Sequence, residues 1–256
     1  MPRRIRITVA YDGTEFHGWQ IQPGLPTVQG TLEEIVAGLE GYPVHVAGSG
    51  RTDAGVHALA QVAAFTIRNS IPVDNLRRAL NRLLPPAIRV LQAAETAPDF
   101  HPRFDAIDKT YRYTIFREEI CSPFEWRYVY HHPYALDEAA MIEAANRFEG
   151  EHDFTCFAAS DDRDAEGASK VRTIFESRLE RLADRMVFRV RGSGFLKHMV
   201  RNMVGSLIGI GRGNLAPCGL DAFLCAGSPR KAGPTAPARG LSLVTVSYPP
   251  HATLRQ

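Results

Sequence analysis

The stretch GSGRTDAGVHALAQVAAF, residues 48–65, places an arginine and an aspartate two residues apart in a glycine-rich turn. If the backbone is extended there, Arg51 and Asp53 point to the same side, and the arginine keeps the carboxylate ionised. An ionised carboxylate fixed on a tight turn suits nucleophilic or electrostatic work at a sugar or a base. The alternative is a hairpin corner in which Asp53 caps its own turn. Spacing taken alone favours the hairpin corner.

A nucleotide-binding loop is excluded for the same turn. Such a loop has the pattern G-x-x-x-x-G-K-[ST], and no Lys-Ser or Lys-Thr pair follows these glycines. It also requires a helix directly after the loop, so that the helix N-terminus faces the phosphate. The residues that follow, VHALAQVAAF, are typical of a strand.

Aromatic residues occur in two segments that could meet a nucleobase. In KTYRYTIF, a predicted strand, Tyr111 and Tyr113 share one face, and a tyrosine on a strand that lines a cleft can stack on a base. Packing of both rings in or beside the core is the simpler interpretation. The turn segment YDGTEFHGWQ contains Phe16, His17, Trp19 and Gln20. It is either an anchored loop or, if its aromatics are exposed, a contact with RNA made by these rings and the glutamine.

Two predicted helices carry basic residues one turn apart, which could contact phosphates. The first is predicted over GFLKHMVRNMVGSLIGIG and the second over VDNLRRALNRLLP. A solvated polar face is the ordinary alternative for both. The candidate RNA-binding residues are Lys197, His198, Arg201, Arg78 and Arg82.

The remaining patterns predict the elements that must position these side chains. Alternating runs predict strands at RIRITVAYDG, PVHVAGSG, HALAQVAAFTI, AIRVLQAAETA, KTYRYTIFRE and LSLVTVSYP, and a strand pair that turns near Ala183. Helical periodicity predicts a helix over TVQGTLEEIVAGLEG, with a capping box formed by Thr31 and Glu34 and an end at Gly41. A further helix is predicted over LDEAAMIEAANRFEG, and the second basic helix buries Leu76, Leu80, Leu83 and Leu84.

This order of elements predicts an α+β fold rather than a parallel α/β fold, because many connections suit antiparallel neighbours. Two mixed halves are expected, an N-terminal half over 1–105 and a C-terminal half over 106–256, joined at the proline-containing segment PDFHPRFDAID. The segment ASDDRDAEGAS is expected to be an acidic, solvated loop around residues 160–166.

Composition bounds the class of protein. With 45% hydrophobic and 23% charged residues the chain is typical of soluble globular proteins, and no apolar run is long enough to span a bilayer. We expect a cytoplasmic location, because the N-terminus lacks the apolar core of a signal peptide. The four cysteines form no C-x-x-C pair and the histidines show no ligand spacing, so we expect no metal.

Taken together, the chain resembles the tRNA pseudouridine synthase A family over nearly its whole length. The resemblance is carried, in order, by YDGTEFHGWQ…TVQGTLE, GSGRTDAGVHALAQV, NRLLPPAIRV, FHPRFDAIDKTYRY, HDFTCF, GSGFLKHMVRNMVGSLIGIG and APARGLSLVTVSYP. GRTDAGVHA is highly specific to this class of enzyme. Two small departures, Pro102 where alanine is expected and Ala60 where glycine is common, lie outside the residues that carry chemistry.

The resemblance implies an isomerase that converts uridine to pseudouridine at positions 38, 39 and 40 of the tRNA anticodon arm. It implies that Asp53 is the catalytic aspartate, that Arg51 pairs with it, and that Tyr111 stacks beside the target uracil. It also implies a continuous, mainly antiparallel curved sheet with a central, positively charged cleft, a homodimer, and no cofactor. A non-catalytic tRNA-binding or tRNA-folding module with the same cleft, and a glycosidase-like hydrolase, are the alternatives. The hydrolase would typically need a second catalytic carboxylate.

Overall fold

The computed structural model describes residues 1–160, 167–225 and 231–249. Within these ranges the helices and strands are, in chain order, β1 (Arg3–Tyr11), α1 (Val28–Glu40), β2 (Ala47–Gly48), β3 (His57–Ile67), α2 (Val73–Leu83), β4 (Ile88–Thr96), β5 (Asp108–Phe116), β6 (Tyr130–His131), α3 (Glu138–Ala145), β7 (Gly150–Asp153), β8 (Val171–Leu182), β9 (Arg185–Gly192), α4 (Met199–Gly211) and β10 (Leu241–Ser247). The predicted α+β class is confirmed. Residues 161–166 of the predicted acidic loop lie outside the described residues.

The chain forms two compact units. The first contains Met1–Lys109 and the closing segment from Ser242, and the second contains Thr110–Leu241. The border therefore runs through β5 and β10. The assignment of separate roles to 1–105 and 106–256 stays a prediction.

The first unit is a mixed sheet with two helices. Strand β1 lies between β3 and β4 and is antiparallel to both, and β10 pairs in parallel with β3 through Ser242 and His57. Alternate residues of β1, among them Ile5, Ile7 and Val9, are fully buried, as expected for a strand with one face on the core. The strand prediction for RIRITVAYDG is confirmed.

Two details of the helices in the first unit differ from the sequence prediction. Helix α1 begins one turn earlier than its predicted capping box, because Thr27 is the N-cap and its side chain accepts the Gly30 amide. Thr31 instead donates its hydroxyl to the Thr27 carbonyl within the helix. Helix α2 buries Leu76 and Leu80, but Leu83 is 52% exposed. The prediction that Leu83 belongs to the buried face of this helix is therefore wrong.

The second unit is a sheet in the order β5-β9-β8-β7, and β6 pairs in parallel with β5. Helix α3 packs on β8, where the Ser177 hydroxyl donates to the Ala145 carbonyl at 2.7 Å. Phe148, Phe157 and Phe188 meet edge to face beneath it and fill the core. The predicted turn between β8 and β9 is confirmed, with Ala183 in a left-handed conformation at a φ of 49°.

No helix in the described ranges is long and apolar enough to cross a membrane. Antiparallel pairs predominate in both units, with the β3–β10 and β5–β6 pairs as the parallel exceptions among the described pairings. Each unit thus combines hairpin-type pairing with helices on its sheet, which is the architecture expected from short connections.

Candidate active site

Asp53 lies in the turn between β2 and β3, and backbone hydrogen bonds fix this turn on two sides. The Val56 amide donates to the Asp53 carbonyl at 3.1 Å, which closes the turn, and the Trp19 amide donates to the Thr52 carbonyl at 3.0 Å. The Asp53 side chain is half-buried and Arg51 is exposed. Both charged residues of the motif therefore lie on one hydrogen-bonded turn that solvent can reach.

The segment before α1 supports this turn through two glycines. A Cβ at Gly18 would lie 2.5 Å from the Thr52 carbonyl oxygen, and the φ of Gly18 is +91°. A Cβ at Gly13 would lie 2.0 Å from the Val56 carbonyl oxygen. Real side chains do not fit at these distances, so both positions need glycine for the two backbones to approach. The glycines of YDGTEFHGW are thus part of the support of Asp53.

The two aromatic residues of the same segment are anchors of the loop. Trp19 is 3% exposed and lies directly under Gly48, where an added Cβ would be 2.4 Å from its Cε2. Phe16 is buried as well. The anchored-loop interpretation is confirmed for both rings. The alternative, in which exposed aromatics of this loop contact RNA, is wrong for these two rings, because both are buried.

A buried polar network holds the first half of the turn. The Ser49 hydroxyl donates to Gln61 Oε1 at 2.5 Å, and Gln61 Nε2 donates to the Gly50 carbonyl at 2.9 Å. Lys109 Nζ donates to the Ser49 carbonyl at 2.7 Å. The Tyr11 hydroxyl is 2.8 Å from the Thr52 hydroxyl. Lys109 and Gln61 were not among the residues that the sequence singled out, since nothing local marks a contact between β5 and a turn some 60 residues earlier in the chain.

Burial changes the ionisation of two members of this network. Burial, with a smaller contribution from the charge of Arg103, lowers the pKa of Lys109 to about 8. Burial raises the pKa of Tyr11 to about 12, so its hydroxyl is neutral at physiological pH. The Lys109 shift corresponds to about 3 kcal/mol against the charged amine. The pKa of Lys109 is lower in the folded protein than in the unfolded chain. The penalty on folding stability is therefore fully present below pH 8, and it disappears as the pH rises to the pKa of an ordinary lysine.

Tyr111 lies on β5 in the second unit. Its ring is 7% exposed and meets Phe195 edge to face, with centroids 4.9 Å apart. Tyr113 is fully buried on the same face of the strand, and its hydroxyl donates to the Pro237 carbonyl at 2.8 Å. Burial raises the pKa of Tyr113, which keeps it neutral. Tyr113 is thus a structural residue. Of the two tyrosines, Tyr111 is the more exposed to solvent.

The basic helix around Lys197 differs from its prediction. Helix α4 begins at Met199, and its N-cap His198 has a left-handed φ of 62°. Lys197 and His198 therefore precede the helix, so Lys197 and Arg201 are not aligned one turn apart on its surface. The apolar spacing of Phe195 and Leu196 continues that of the helix, but a left-handed residue cannot belong to a right-handed helix.

Lys197, His198 and Arg201 differ in exposure and in hydrogen bonding. Lys197 is exposed, and its carbonyl accepts the Ala159 amide at 2.9 Å. His198 is half-buried at the start of α4. Arg201 lies in the first turn of α4, and its Nε donates to the Ala236 carbonyl at 2.8 Å. This bond fixes the direction of the Arg201 guanidinium from the helix toward the segment before β10.

The second basic pair has the predicted arrangement. Arg78 and Arg82 are exposed and lie four residues apart in α2, on the side away from the buried Leu76 and Leu80. The structure therefore confirms their common exposed face. Their role in binding stays a prediction.

The chain is similar in sequence to known proteins over nearly its whole length. A family model described as tRNA pseudouridine synthase matches residues 7–105 and 144–249. A protein of Solibacter usitatus named tRNA pseudouridine synthase A is 70% identical over 246 residues, which cover 96% of this chain and all of that protein. Proteins of the same name from Moorella thermoacetica and Brevibacillus brevis are 45% and 42% identical over 95% and 96% of this chain, and 99% and 100% of their own lengths.

Solved structures give only a distant likeness. An archaeal box H/ACA sRNP Nop10–Cbf5 complex matches with 10% identity and a TM-score of 0.34, over 80% of this chain and 44% of the matched chain. This similarity is too low to indicate a shared fold.

Proposed function

The chain belongs to the tRNA pseudouridine synthase family, and from this premise we propose that it modifies uridines 38, 39 and 40 of the tRNA anticodon arm with Asp53 as its catalytic carboxylate. Its reaction is the isomerisation of uridine in tRNA. The observation that carries the proposed role of Asp53 is the rigid turn, in which Thr52, Asp53 and Gly55 all take part in backbone hydrogen bonds. A carboxylate held in this way is positioned before substrate arrives.

The chemistry requires a carboxylate and no external reactant. The N1–C1′ bond of uridine breaks, the base rotates, and C5 bonds to C1′, while the proton on C5 leaves to solvent and N1 gains a proton. In our proposal Asp53 attacks C1′ or the base, or removes a sugar proton to give a glycal intermediate. We propose that Arg51, two residues away on the same turn, pairs with Asp53 in the reaction. These three routes share the need for a charged carboxylate at residue 53.

The target nucleotide must leave its stack before reaction, at a cost of a few kcal/mol. We propose that Tyr111 stacks on the extruded uracil, which is worth roughly 1–3 kcal/mol in related complexes. The edge-to-face contact with Phe195 supports this role, because it fixes the orientation of the Tyr111 ring.

Tyr111→Phe is expected to keep tRNA binding and turnover within about threefold, because the ring and its contact with Phe195 remain. Tyr111→Ala is expected to lower turnover by about 10- to 100-fold through the loss of stacking. Release of tritium from tRNA labelled at C5 of uridine measures both. A large loss in Tyr111→Phe would contradict a pure stacking role and would assign chemistry to the hydroxyl.

We propose that Lys197, His198, Arg201, Arg78 and Arg82 contact the tRNA backbone. The exposure of Lys197, Arg78 and Arg82 supports this, since phosphate contacts come from accessible basic side chains. His198 and Arg201 are half-buried and are suited to a more fixed contact near the start of α4.

The double substitution Arg78→Gln and Arg82→Gln is expected to weaken tRNA binding by about three- to tenfold at moderate salt. Each phosphate contact that is lost should also lower the slope of log affinity against log salt by about 1. Arg68→Gln is the matched control, because Arg68 is an exposed arginine of the same unit that lies over the Tyr42 ring. Titrations of labelled tRNA at several salt concentrations measure the slope, and equal slopes for all three proteins would remove α2 from the interface.

We further propose a cytoplasmic homodimer that acts without a cofactor. The relatives' name points to a tRNA substrate, which is found where translation occurs. Mapping of pseudouridine in tRNA treated with the purified protein tests the proposed positions directly. Modification confined to uridines outside 38–40 would overturn the proposed specificity, and the mass of the protein in solution tests the dimer.

A further inference from the structure

We propose that Lys109 is a positioning residue of the catalytic turn: it holds the Ser49 carbonyl and thereby sets the placement of Asp53. The inference rests on the proposed function, in which Asp53 is the catalytic carboxylate. Lys109 and the turn belong to the same unit, and Lys109 immediately precedes the part of β5 that carries Tyr111.

The turn is held by a series of donors from different elements. Lys109 Nζ binds the Ser49 carbonyl at 2.7 Å, and Gln61 Nε2 binds the Gly50 carbonyl at 2.9 Å. The Trp19 amide binds the Thr52 carbonyl at 3.0 Å. Three of the four carbonyls that precede Asp53 are thus fixed by donors outside the turn. A change at any one of them is transmitted to the next residues through a short, constrained backbone.

Lys109 is also in close contact with the turn at its glycine. A Cβ placed on Gly50 would lie 3.2 Å from Lys109 Nζ, which is tighter than ordinary packing. The amine therefore lies against the backbone of Gly50 as well as on the carbonyl of Ser49. The close approach of the Lys109 amine thus depends on the missing side chain of Gly50, although the two residues are far apart in sequence.

The charge of Lys109 has a consequence that a neutral donor would not have. A charged donor makes a hydrogen bond about twice as strong as a neutral one. Burial lowers the pKa of Lys109 to about 8, so the amine loses its charge just above neutral pH. A neutral amine still donates a hydrogen bond. The bond from Lys109 to the Ser49 carbonyl should therefore weaken as the pH rises, and it should not be lost.

Other ionisable groups surround this contact on each packed element. Arg103 and Asp105 come from the turn before β5, and the hydroxyl of Tyr248, from the closing segment, donates to the Pro102 carbonyl at 2.6 Å. Arg6 of β1 lies over the Tyr248 ring with its Cζ 4.6 Å from the centroid. Burial raises the pKa of Tyr248, which moves it away from neutral pH. Arginine and carboxylate side chains ordinarily titrate outside pH 7 to 9.

The first test compares Lys109→Met with Lys231→Met, the same substitution at an exposed lysine. In single-turnover reactions with enzyme in excess over tRNA, Lys109→Met is expected to react about 10- to 100-fold more slowly, because a displacement of about 1 Å at a reacting group has effects of this size. Its affinity for tRNA should stay within about twofold. Lys231→Met should match the unsubstituted protein. An unchanged rate in Lys109→Met would overturn the inference.

The second test is the pH profile, which a merely structural lysine would not move. The single-turnover rate of the unsubstituted protein is divided, at each pH, by the rate of Lys109→Met. This ratio is expected to fall about three- to tenfold between pH 7 and pH 9, with a midpoint near 8. A flat ratio would overturn the inference. If Lys109→Met does not fold, the pH profile of the unsubstituted protein alone decides in the same way. Absence of pseudouridine with the unsubstituted protein would overturn the proposed function itself and is a distinct result.

Discussion

Asp53→Asn is expected to abolish pseudouridine formation while tRNA binding stays within about twofold of the unsubstituted protein. Asparagine has nearly the same shape as aspartate, and the backbone hydrogen bond from the Val56 amide to the carbonyl of residue 53, which closes the turn, is available to both. The variant should therefore fold and present the same surface. An amide is neutral and cannot serve as the nucleophile or base, so turnover should fall by about 10⁴-fold or more.

Tritium release from C5-labelled uridine in tRNA measures this loss, and a filter-binding titration measures affinity. Asp99→Asn is the matched control, since Asp99 is an exposed carboxylate of the same unit outside the proposed site. Turnover in Asp53→Asn equal to that of Asp99→Asn would refute the catalytic role. Binding of tRNA without conversion by the unsubstituted protein would instead favour a non-catalytic binding module.

The position of Asp53 could be predicted from the sequence because its determinants are local. Glycines that bend the chain, a strand-like run after them and a charged pair between them are all readable within about ten residues. The support of the turn could not be predicted in the same way. Lys109 and Gln61 act through contacts across the sheet, and the glycines of the segment before α1 matter through an approach of two backbones. Such contacts exist only after the strands have paired.

The error at α4 has a different origin. Hydrophobic periodicity predicts a helix that includes Phe195 and Leu196, because their spacing from Met199 and Met203 fits one apolar face. Periodicity reports which side chains are buried, and it contains no information about a single left-handed residue. His198, at a φ of 62°, ends the run of helical dihedral angles before Met199. A lysine that should have lined a helical face is thus placed on the turn that leads into the helix.

The second large effect is expected for Gly18→Ala, which tests the support of the turn independently of its chemistry. Gly18 has a φ of +91°, and an added Cβ would lie 2.5 Å from the Thr52 carbonyl oxygen and 3.1 Å from the Asp53 carbonyl carbon. The positive φ costs about 1–2 kcal/mol for an alanine. The close approach forces the two backbones apart and should bring the total to about 3–4 kcal/mol.

Gly24→Ala is the control that separates these two contributions. Gly24 has a φ of +73°, but a Cβ there meets nothing within 4 Å. It should therefore show the backbone strain alone, a fall in melting temperature of about 2–8 °C for a protein of this size, with normal turnover. Gly18→Ala should melt about 6–16 °C lower than the unsubstituted protein. It should also lose turnover at temperatures where it is still folded, because Thr52 directly precedes Asp53. Thermal unfolding and tritium release measure the two effects, and equal losses in both variants would show that the turn does not depend on the close approach of Gly18.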